Sequence, residues 1–467
     1  MGKDLRQFLN AAREAGPEFY VEVKKPLRTE LEPCVIQQKL AREGRFPVIY
    51  CPEMVGSELP LVTDLYGSRE MIGLSFGLDP KKVTKADIFQ EFRRRMGATR
   101  PVQVVPASES AIKQVILKGD DVDLARLPIV RHAVLNSGKY IPIGCMVCKD
   151  PDTGIPNVGI YRHEVKGKNK LGCMINPVHH AAYIARRCAA LGKPMEVAIF
   201  IGHHPAAVLG ANYMGPQDVD EFEIMGGFLQ ESIQVTQAET VDLQVPALAE
   251  IVIEGTIDPR TMTTDGPFSE YAGYYGIAQK PCYLIDVTAI TMRNDAVYHD
   301  LDPSHREHNL CGVMCYESQI YDAVKAAVPT VKGVYAPPSG ANAFTYYISI
   351  AKRVQGEGKR AGLAAIGISS APTLVVVVDE DIDVYSEEEV MWAVSTRMVA
   401  DEGIIIIPAV AGPHLHPTSY DETRHGRGHM ASITIIDTTM PVDLPFETRI
   451  VPPQDLWESM TLEDYLK

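Results

Sequence analysis

The sequence predicts a multidomain α+β and α/β protein in three parts. These are an N-terminal α/β region over residues 1–105, a central β-rich domain over 106–310 and a C-terminal α/β domain over 311–467. Three observations carry this. A chain of 467 residues is longer than one hydrophobic core usually serves. From about Leu127, short apolar runs alternate with Gly and Pro turns, as half-buried strands do. After about Leu310, helical stretches alternate with continuous apolar runs, the mark of strands covered on both faces.

At the N-terminus, Leu5, Phe8, Leu9 and Ala12 share one face of a helix, with Asp4 as its N-cap and Gly16 at its end. Gly73 to about Arg95 is mixed, helical and partly basic, and residues 97–105 read as a connector. The central strands are IPIGCMV from Ile141, VAIFIG from Val197, AEIVIEG from Ala249 and YLIDVTAITM from Tyr283. Met292–Asp295 reads as a hairpin turn before AVYHDL, and helices interrupt the strands near His179–Gly192 and Asp218–Gln230. In the C-terminal part, Glu317–Ala327 and Ala343–Val354 read as helices, and Thr373–Val378 and Ile404–Ile407 as buried strands. Ser386 with Glu389 forms a capping box for the helix through Trp392 and Val394. The final segment, Trp457–Leu466, is suited to packing on a partner subunit.

Composition narrows the function. A net charge of −15 argues against nucleic acid or an anionic membrane as the main partner. No apolar run is long enough to span a membrane. Nine cysteines without a repeating spacing, and no signal peptide, predict reduced thiols in a cytoplasmic protein. Cys145/Cys148 and Cys311/Cys315 lack a matching second pair for structural zinc. GxGxxG, GxxxxGK[ST] and HExxH patterns are absent, so a nicotinamide fingerprint, a P-loop and a zincin helix are unsupported.

Two short segments carry chemistry instead. Asp265-Gly-Pro-Phe-Ser-Glu270 holds two carboxylates around a Gly-Pro turn, and Asn157-Val-Gly-Ile-Tyr-Arg162 holds an amide and a guanidinium. An arginine between two carboxylates keeps one ionised and lets the other carry a proton, which suits acid/base work; a surface ion pair is the plainer alternative. Asn157, His179 and Glu221 offer an amide oxygen, an imidazole and a carboxylate, a set fitting Mn2+ or Mg2+ better than zinc, though a lone His before a helix is more often a cap. His203-His204 reads as a turn, and His414, His416, His425 and His429 as loop histidines, more often solvated than ligating.

The chain resembles the UbiD-like decarboxylases, which use prenylated FMN. The resemblance runs nearly full length. It rests on NVGIYR, INPVHHAAYIA from Ile175, DVDEFEIMGG from Asp218, VPALAEIVIEG from Val245, DGPFSEYAGYY from Asp265, VVVVDEDIDVY from Val375 and MWAVSTR from Met391. It implies a central split β-barrel flavin domain between the two α/β parts, and a homodimer or homohexamer built through the C-terminal domain. It implies Mn2+ (or Mg2+) on Asn157, His179 and Glu221, gripping the cofactor phosphate, and often K+ nearby. Ile160, Tyr161, Arg162 and Ile175 join those three as cofactor-binding residues. A proton network falls on Arg162, Asp265 and Glu270, with Glu270 as proton donor. The cofactor serves as electron sink and comes from a separate flavin prenyltransferase.

Three departures from the family pattern stand out: Asp265 where Glu is frequent, Val178 before the metal histidine, and Ser369, Ser370 and Ala371 where some relatives carry lysine. The substrate implied is a small aromatic or heteroaromatic carboxylic acid, with His305 and His308 of the HREH segment lining the pocket. The reaction could instead run as carboxylation, or the chain could serve as a subunit of a carboxylase complex or a non-catalytic cofactor-binding or assembly protein.

Overall fold

A computed structural model of the chain describes residues 2–276, 280–341, 343–413, 415–420 and 430–466. Helix α1 (Leu5–Ala15) forms as its pattern dictates: Asp4 accepts the Gln7 N–H at 3.0 Å, and Leu5, Phe8, Leu9 and Ala12 are buried. Then come β1 (Tyr20–Glu22), α2 (Glu32–Arg42), β2 (Val48–Cys51) and β3 (Leu61–Thr63), which start a small sheet. The helix expected over 73–95 is two helices, α3 (Arg69–Ser75) and α4 (Lys85–Met96). Gly77 at φ +80° and Pro80 break the run, because the residue before a proline disfavours the helical region. A capping box of Thr84 and Asp87 restarts it.

The central part begins with β4 (Gln103–Val104), β5 (Val115–Lys118), β6 (Tyr140–Lys149), β7 (Pro156–Gly167) and β8 (Lys170–Cys173). Helix α5 (His180–Ala190), β9 (Met195–Ile201), α6 (Pro205–Gly210) and α7 (Glu221–Leu229) follow. Next are β10 (Gln234–Gln237), β11 (Gln244–Pro246), β12 (Ile251–Asp265), β13 (Phe268–Ser269), β14 (Tyr275–Gly276) and β15 (Lys280–Met292). Strands run in the order β12-β9-β6-β7-β8-β15, and β12 pairs with β15, closing a six-stranded antiparallel barrel. Closure leaves no free edge in the barrel itself. Alternate residues serve two cores, as a two-residue period requires. Met146, Ile199 and Ile253 pack with Ile49 and Leu61 of the N-terminal sheet, while Val147, Ala198 and Val252 pack with Phe222 and Phe228 of α7.

No hairpin follows Met292. The chain leaves the barrel and β16 (Tyr298–His299) joins the N-terminal sheet parallel to β3. The exit is fixed by Glu250, whose carboxylate accepts the Val297 N–H at 3.0 Å and the Arg6 guanidinium at 2.6 Å.

The C-terminal part holds α8 (Arg306–Ala327), β17 (Val331–Tyr335), β18 (Thr345–Ile350), α9 (Glu357–Ile368), β19 (Leu374–Asp379), α10 (Glu387–Arg397), α11 (Ala400–Gly403), β20 (Ile404–Ala411) and β21 (Met430–Asp437). Its sheet has the order β17-β18-β19-β21-β20. Helix α8 opens at Arg306 rather than Glu317, with His305 as N-cap. The helix expected at 343–354 is instead β18, where the β-favouring run TYYISI lies buried between β17 and β19. The Ile404–Ile407 strand forms but lies at the sheet edge beside β21, with Ile406 65% exposed, so apolar continuity there does not mean burial. Ser386 caps α10 as expected, while Glu389 turns to the Asp383 N–H instead of completing the box. Two short helices, α12 (Gln454–Ser459) and α13 (Leu462–Tyr465), end the chain with Trp457 and Leu462 exposed. Among the described residues no helix is long and apolar enough to cross a membrane.

Helix α7 sits close against the end of α4: a Cβ on Gly227 would lie 2.3 Å from the Ala98 carbonyl oxygen and 2.9 Å from that of Arg95. Both neighbours are backbone, so Gly227→Ala is expected to cost about 1–3 kcal/mol. Urea unfolding checks this; an unchanged midpoint would show that the two helices separate without strain.

Candidate active site

The chemistry-bearing residues meet beside the barrel because β7 and β12 present them there. Arg162 lies on β7, Asp265 ends β12, and Glu270 follows β13. Gly266 stands at φ +90°, a conformation glycine adopts freely, and the Gly266–Pro267 bond is cis. The turn is tied down along its length. Tyr140 Oη accepts the Gly266 N–H at 3.2 Å, Asn136 Oδ1 accepts the Ser269 N–H at 2.8 Å, and the Pro267 carbonyl accepts the Ser137 N–H at 2.9 Å. The Glu270 N–H bonds the Tyr274 carbonyl at 2.9 Å.

Arg162 is the centre of the cluster. It donates to Asp265 Oδ2 from Nη2 at 2.5 Å and from Nε at 3.1 Å, and to Glu270 Oε1 from Nη1 at 2.6 Å. Its guanidinium carbon lies 4.5 Å from the centre of the Phe268 ring. Both carboxylates are buried. Burial opposes the charge on Arg162, but Glu270 and Asp265 outweigh it and push its pKa further up. Asp265 Oδ1 is buried without a hydrogen-bond partner. The three residues paired from spacing therefore do converge.

The second group converges in part. The Asn157 amide donates to Glu221 Oε1 at 2.9 Å, and the Val158 N–H reaches Oε2 at 3.0 Å. Asn157 Oδ1 meets only the weak Cys148 thiol, at 3.9 Å. Burial pushes Glu221 up to about 7. His179 is the N-cap residue of α5 and makes no capping bond with its side chain; its ring centre lies 5.8 Å from that of Tyr161, on β7. Burial, then the neighbouring His180, lower its pKa and favour the neutral imidazole that can ligate a metal. An amide oxygen with little to bind, a buried carboxylate with one donor on each oxygen and a neutral imidazole are a fitting donor set for a hard or borderline divalent ion. Tyr161 and Ile175 are buried in one core of the barrel, and Ile160, on the opposite face of β7, packs against the other.

The HREH histidines part company. His308 feels the charges of both Glu270 and Arg162, and its ring meets the Tyr271 ring edge-on at 5.8 Å. His305 is buried beside Gln37, 3.1 Å from its amide nitrogen, in a separate acidic cluster. His203 and His204 are buried at the start of α6, and the His416 ring packs edge-on to Phe344. His414, His425 and His429 lie outside the described residues. All nine cysteines are free and buried. Sequence reasoning passed over Asn136 and Tyr140, which hold the Asp265–Glu270 turn, and gave Phe268 within that motif no part of its own.

Comparisons with known proteins agree with this geometry. Residues 103–305 match the 3-octaprenyl-4-hydroxybenzoate carboxy-lyase Rift-related domain, and residues 295–436 match the carboxy-lyase C-terminal domain. The chain is 32% identical to anhydromevalonate phosphate decarboxylase from Methanothermobacter thermautotrophicus over 89% of this chain and 93% of that one. It is 29% identical to phenolic acid decarboxylase from Sedimentibacter hydroxybenzoicus, over 100% and 98% of the two chains. Among solved structures, the UbiD-class enzyme HmfF from Pelotomaculum thermopropionicum, in complex with FMN, superposes with TM-score 0.90 at 33% identity, covering 99% of this chain and 100% of that one. The 3,4-dihydroxybenzoic acid decarboxylase AroY from Klebsiella pneumoniae gives TM-score 0.90 at 25% identity, covering both chains fully at 100%. With both domain models matched in order, the barrel closed and the arginine–carboxylate cluster assembled on it, this chain belongs to the UbiD family of decarboxylases and is a carboxy-lyase.

Proposed function

We propose that the chain catalyses reversible, non-oxidative decarboxylation of a small aromatic or heteroaromatic carboxylic acid, using prenylated FMN and a divalent metal, Mn2+ or Mg2+. One observation carries this: a single guanidinium is shared by two buried carboxylates, at 2.5 Å to Asp265 and 2.6 Å to Glu270. One guanidinium held between two buried carboxylates is an arrangement suited to a positioned proton donor beside a fixed counter-charge.

Each residue then has a task. Arg162 draws in the substrate carboxylate and the cofactor edge. Asp265 compensates Arg162 and holds its orientation with two hydrogen bonds. Glu270 gives its proton to the carbon that loses carbon dioxide, and in the carboxylation direction takes it back. Asn157, His179 and Glu221 would hold the metal, and through it the cofactor phosphate, while Ile160, Tyr161 and Ile175 supply apolar contact. When bound, the flavin supplies the electron sink that carbon dioxide loss requires.

The substrate class rests on His308. Its Nδ1 lies 2.9 Å from the Pro303 carbonyl oxygen, which makes Nδ1 the donor and leaves Nε2 as an acceptor. Burial lowers its pKa and favours the neutral ring. Tyr271 stands beside it, and Phe344 beside Tyr271, each pair with ring centres 5.8 Å apart. A neutral acceptor among aromatic rings suits a phenol O–H or a ring N–H better than a phosphate, which the name of the anhydromevalonate phosphate decarboxylases would otherwise suggest. His308→Ala is expected to lower kcat/KM for hydroxylated or N–H-bearing acids about 2–10-fold relative to the unsubstituted ring, the worth of one hydrogen bond. An unchanged ratio across a substrate panel would remove His308 from the pocket.

The test of the whole reading is co-expression with a flavin prenyltransferase, followed by an absorption spectrum, native mass, metal analysis and carbon dioxide release from a panel of aromatic acids. Bound prenylated flavin, a manganese content that falls with the flavin in Glu221→Ala, and turnover of at least one acid are expected. A colourless protein despite verified cofactor supply would sink the proposal. The same mass spectrum reports assembly. Ile450 is 98% exposed and Trp457 73%, apolar surface that favours a homodimer or homohexamer.

A further inference from the structure

A buried acidic cluster outside the flavin site is opposed through space by the charge of Arg306, while its own polar atoms are left poorly partnered. Asp64, which follows β3, is 0% exposed, and neither of its carboxylate oxygens has a hydrogen bond. Asp64 Oδ1 faces His305 Nδ1 across 3.6 Å. That nitrogen faces it with its lone pair, towards which the Glu307 N–H lies at a long 3.4 Å and the Gln37 amide nitrogen at 3.1 Å; an ion would take that lone pair in their place. Two lone-pair atoms thus face each other in a dry site, while His305 Nε2 and Asp302 Oδ2 are also buried and unpartnered.

Glu307 is the third wall, also 0% exposed. Its Oε2 accepts the Asp64 N–H at 3.0 Å and the Gln37 amide at 3.1 Å, but Oε1 takes only the Tyr66 N–H, at 3.3 Å. One ligand atom from each of Asp64, His305 and Glu307 lies within 4.8 Å of the others. In a tetrahedral site with bonds of about 2.0–2.2 Å the ligand atoms lie about 3.3–3.6 Å apart, so the 3.6 Å between His305 and Asp64 is already ligand spacing and the remaining separations close by at most about 1.5 Å.

We propose that Asp64, His305 and Glu307 form a second divalent-cation site, taking a borderline ion of the Zn2+ and Mn2+ class, that pins the N-terminal region to the start of α8. One imidazole with two carboxylates is the donor set such ions prefer over Mg2+. The positive end of α8 accounts for Glu307 alone, which accepts backbone bonds there. It does not account for Asp64, whose oxygens receive nothing. Arg306, the nearest cation in sequence, stacks its guanidinium on Phe46 at 4.0 Å, and its Nε is itself unpartnered. The ion would be enclosed as the chain folds, and it would hold the helix that carries His308 one turn further on.

The flavin-site metal must be removed from the readout. The full chain carrying Glu221→Ala, produced in zinc- and manganese-supplemented medium without the prenyltransferase, is dialysed against EDTA and its metal counted. About one tightly held Zn2+ or Mn2+ per chain is expected, lost on adding Asp64→Asn or His305→Gln. Anomalous diffraction on wild-type crystals, independent of whether those variants fold, should place the ion between Asp64, His305 and Glu307. A metal-free Glu221→Ala protein, or an anomalous peak only beside Asn157 and Glu221, would overturn the proposal and leave protons as what balances the cluster.

Discussion

Glu270→Gln is expected to lower kcat by about 10²–10⁴-fold, the usual worth of a positioned general acid. The amide is nearly isosteric, and its oxygen can still accept the Arg162 Nη1 bond, 2.6 Å long in the carboxylate form. The turn bonds that hold this position come from Asn136, Tyr140 and Ser137 and do not involve the Glu270 side chain. Flavin and metal content should therefore stay at the wild-type level while turnover falls. Exchange of solvent deuterium into the product at the carbon that carried the carboxylate should fall in parallel, since it uses the same proton. Full turnover by a flavin-loaded variant would take the proton donor away from Glu270. Loss of flavin together with activity would show instead that the carboxylate holds the cofactor.

The barrel and the convergence of Arg162, Asp265 and Glu270 were legible in the sequence for different reasons. Barrel strands such as Val197–Ile201 and Ile251–Ile253 send alternate residues into two cores, so they read as short continuous apolar runs marked by their turn boundaries. The cluster was legible because Arg162, Asp265 and Glu270 lie in short motifs with the chemistry a proton relay needs, and the resemblance placed them. The errors share a physical cause, since each was decided by tertiary surroundings. Thr345–Ile350 is itself a β-favouring run, and its burial between β17 and β19 fixes it as a strand where a helix was expected. Ile404–Ile407 reads as buried by composition, but no strand pairs with its outer side. Arg306–Glu317 continues α8 backwards because His305 caps it and Glu307 bonds the loop after β3, contacts no local pattern shows. The same contacts separate His305 from His308, which looked equivalent when read as one motif.

Glu317→Gln is expected to cost about 3–5 kcal/mol of stability, the usual result of leaving one member of a buried ion pair unpaired. Arg69 of α3 and Glu317 of α8 are 2% and 0% exposed in their side chains. Arg69 Nη1 donates to Glu317 Oε2 at 3.1 Å, Nη2 donates to Oε1, and Oε1 also accepts the Ala336 N–H at 2.7 Å. Burial pushes the Glu317 pKa up, against the pull of Arg69, so the pair holds its charges only while both partners remain. The amide would leave the guanidinium charged in a dry site and turn an N–H2 towards it. Urea unfolding of Glu317→Gln, Arg69→Met and the Arg69→Met/Glu317→Leu double variant separates the two costs. The single variants should be strongly destabilised and the double variant much less so, because removing both charges abolishes the desolvation penalty along with the attraction. If the double variant were as unstable as the singles, the link would act through the packing of Arg69 on the Tyr335 ring, 4.7 Å away, rather than through charge. Either way α8 is the element at stake. It carries His308 and Asn309 to the Tyr271 side of the Arg162 cluster, with Asn309 Nδ2 3.4 Å from the Tyr271 carbonyl. A partial loss of this clamp should therefore appear first as a raised KM at temperatures below the unfolding transition.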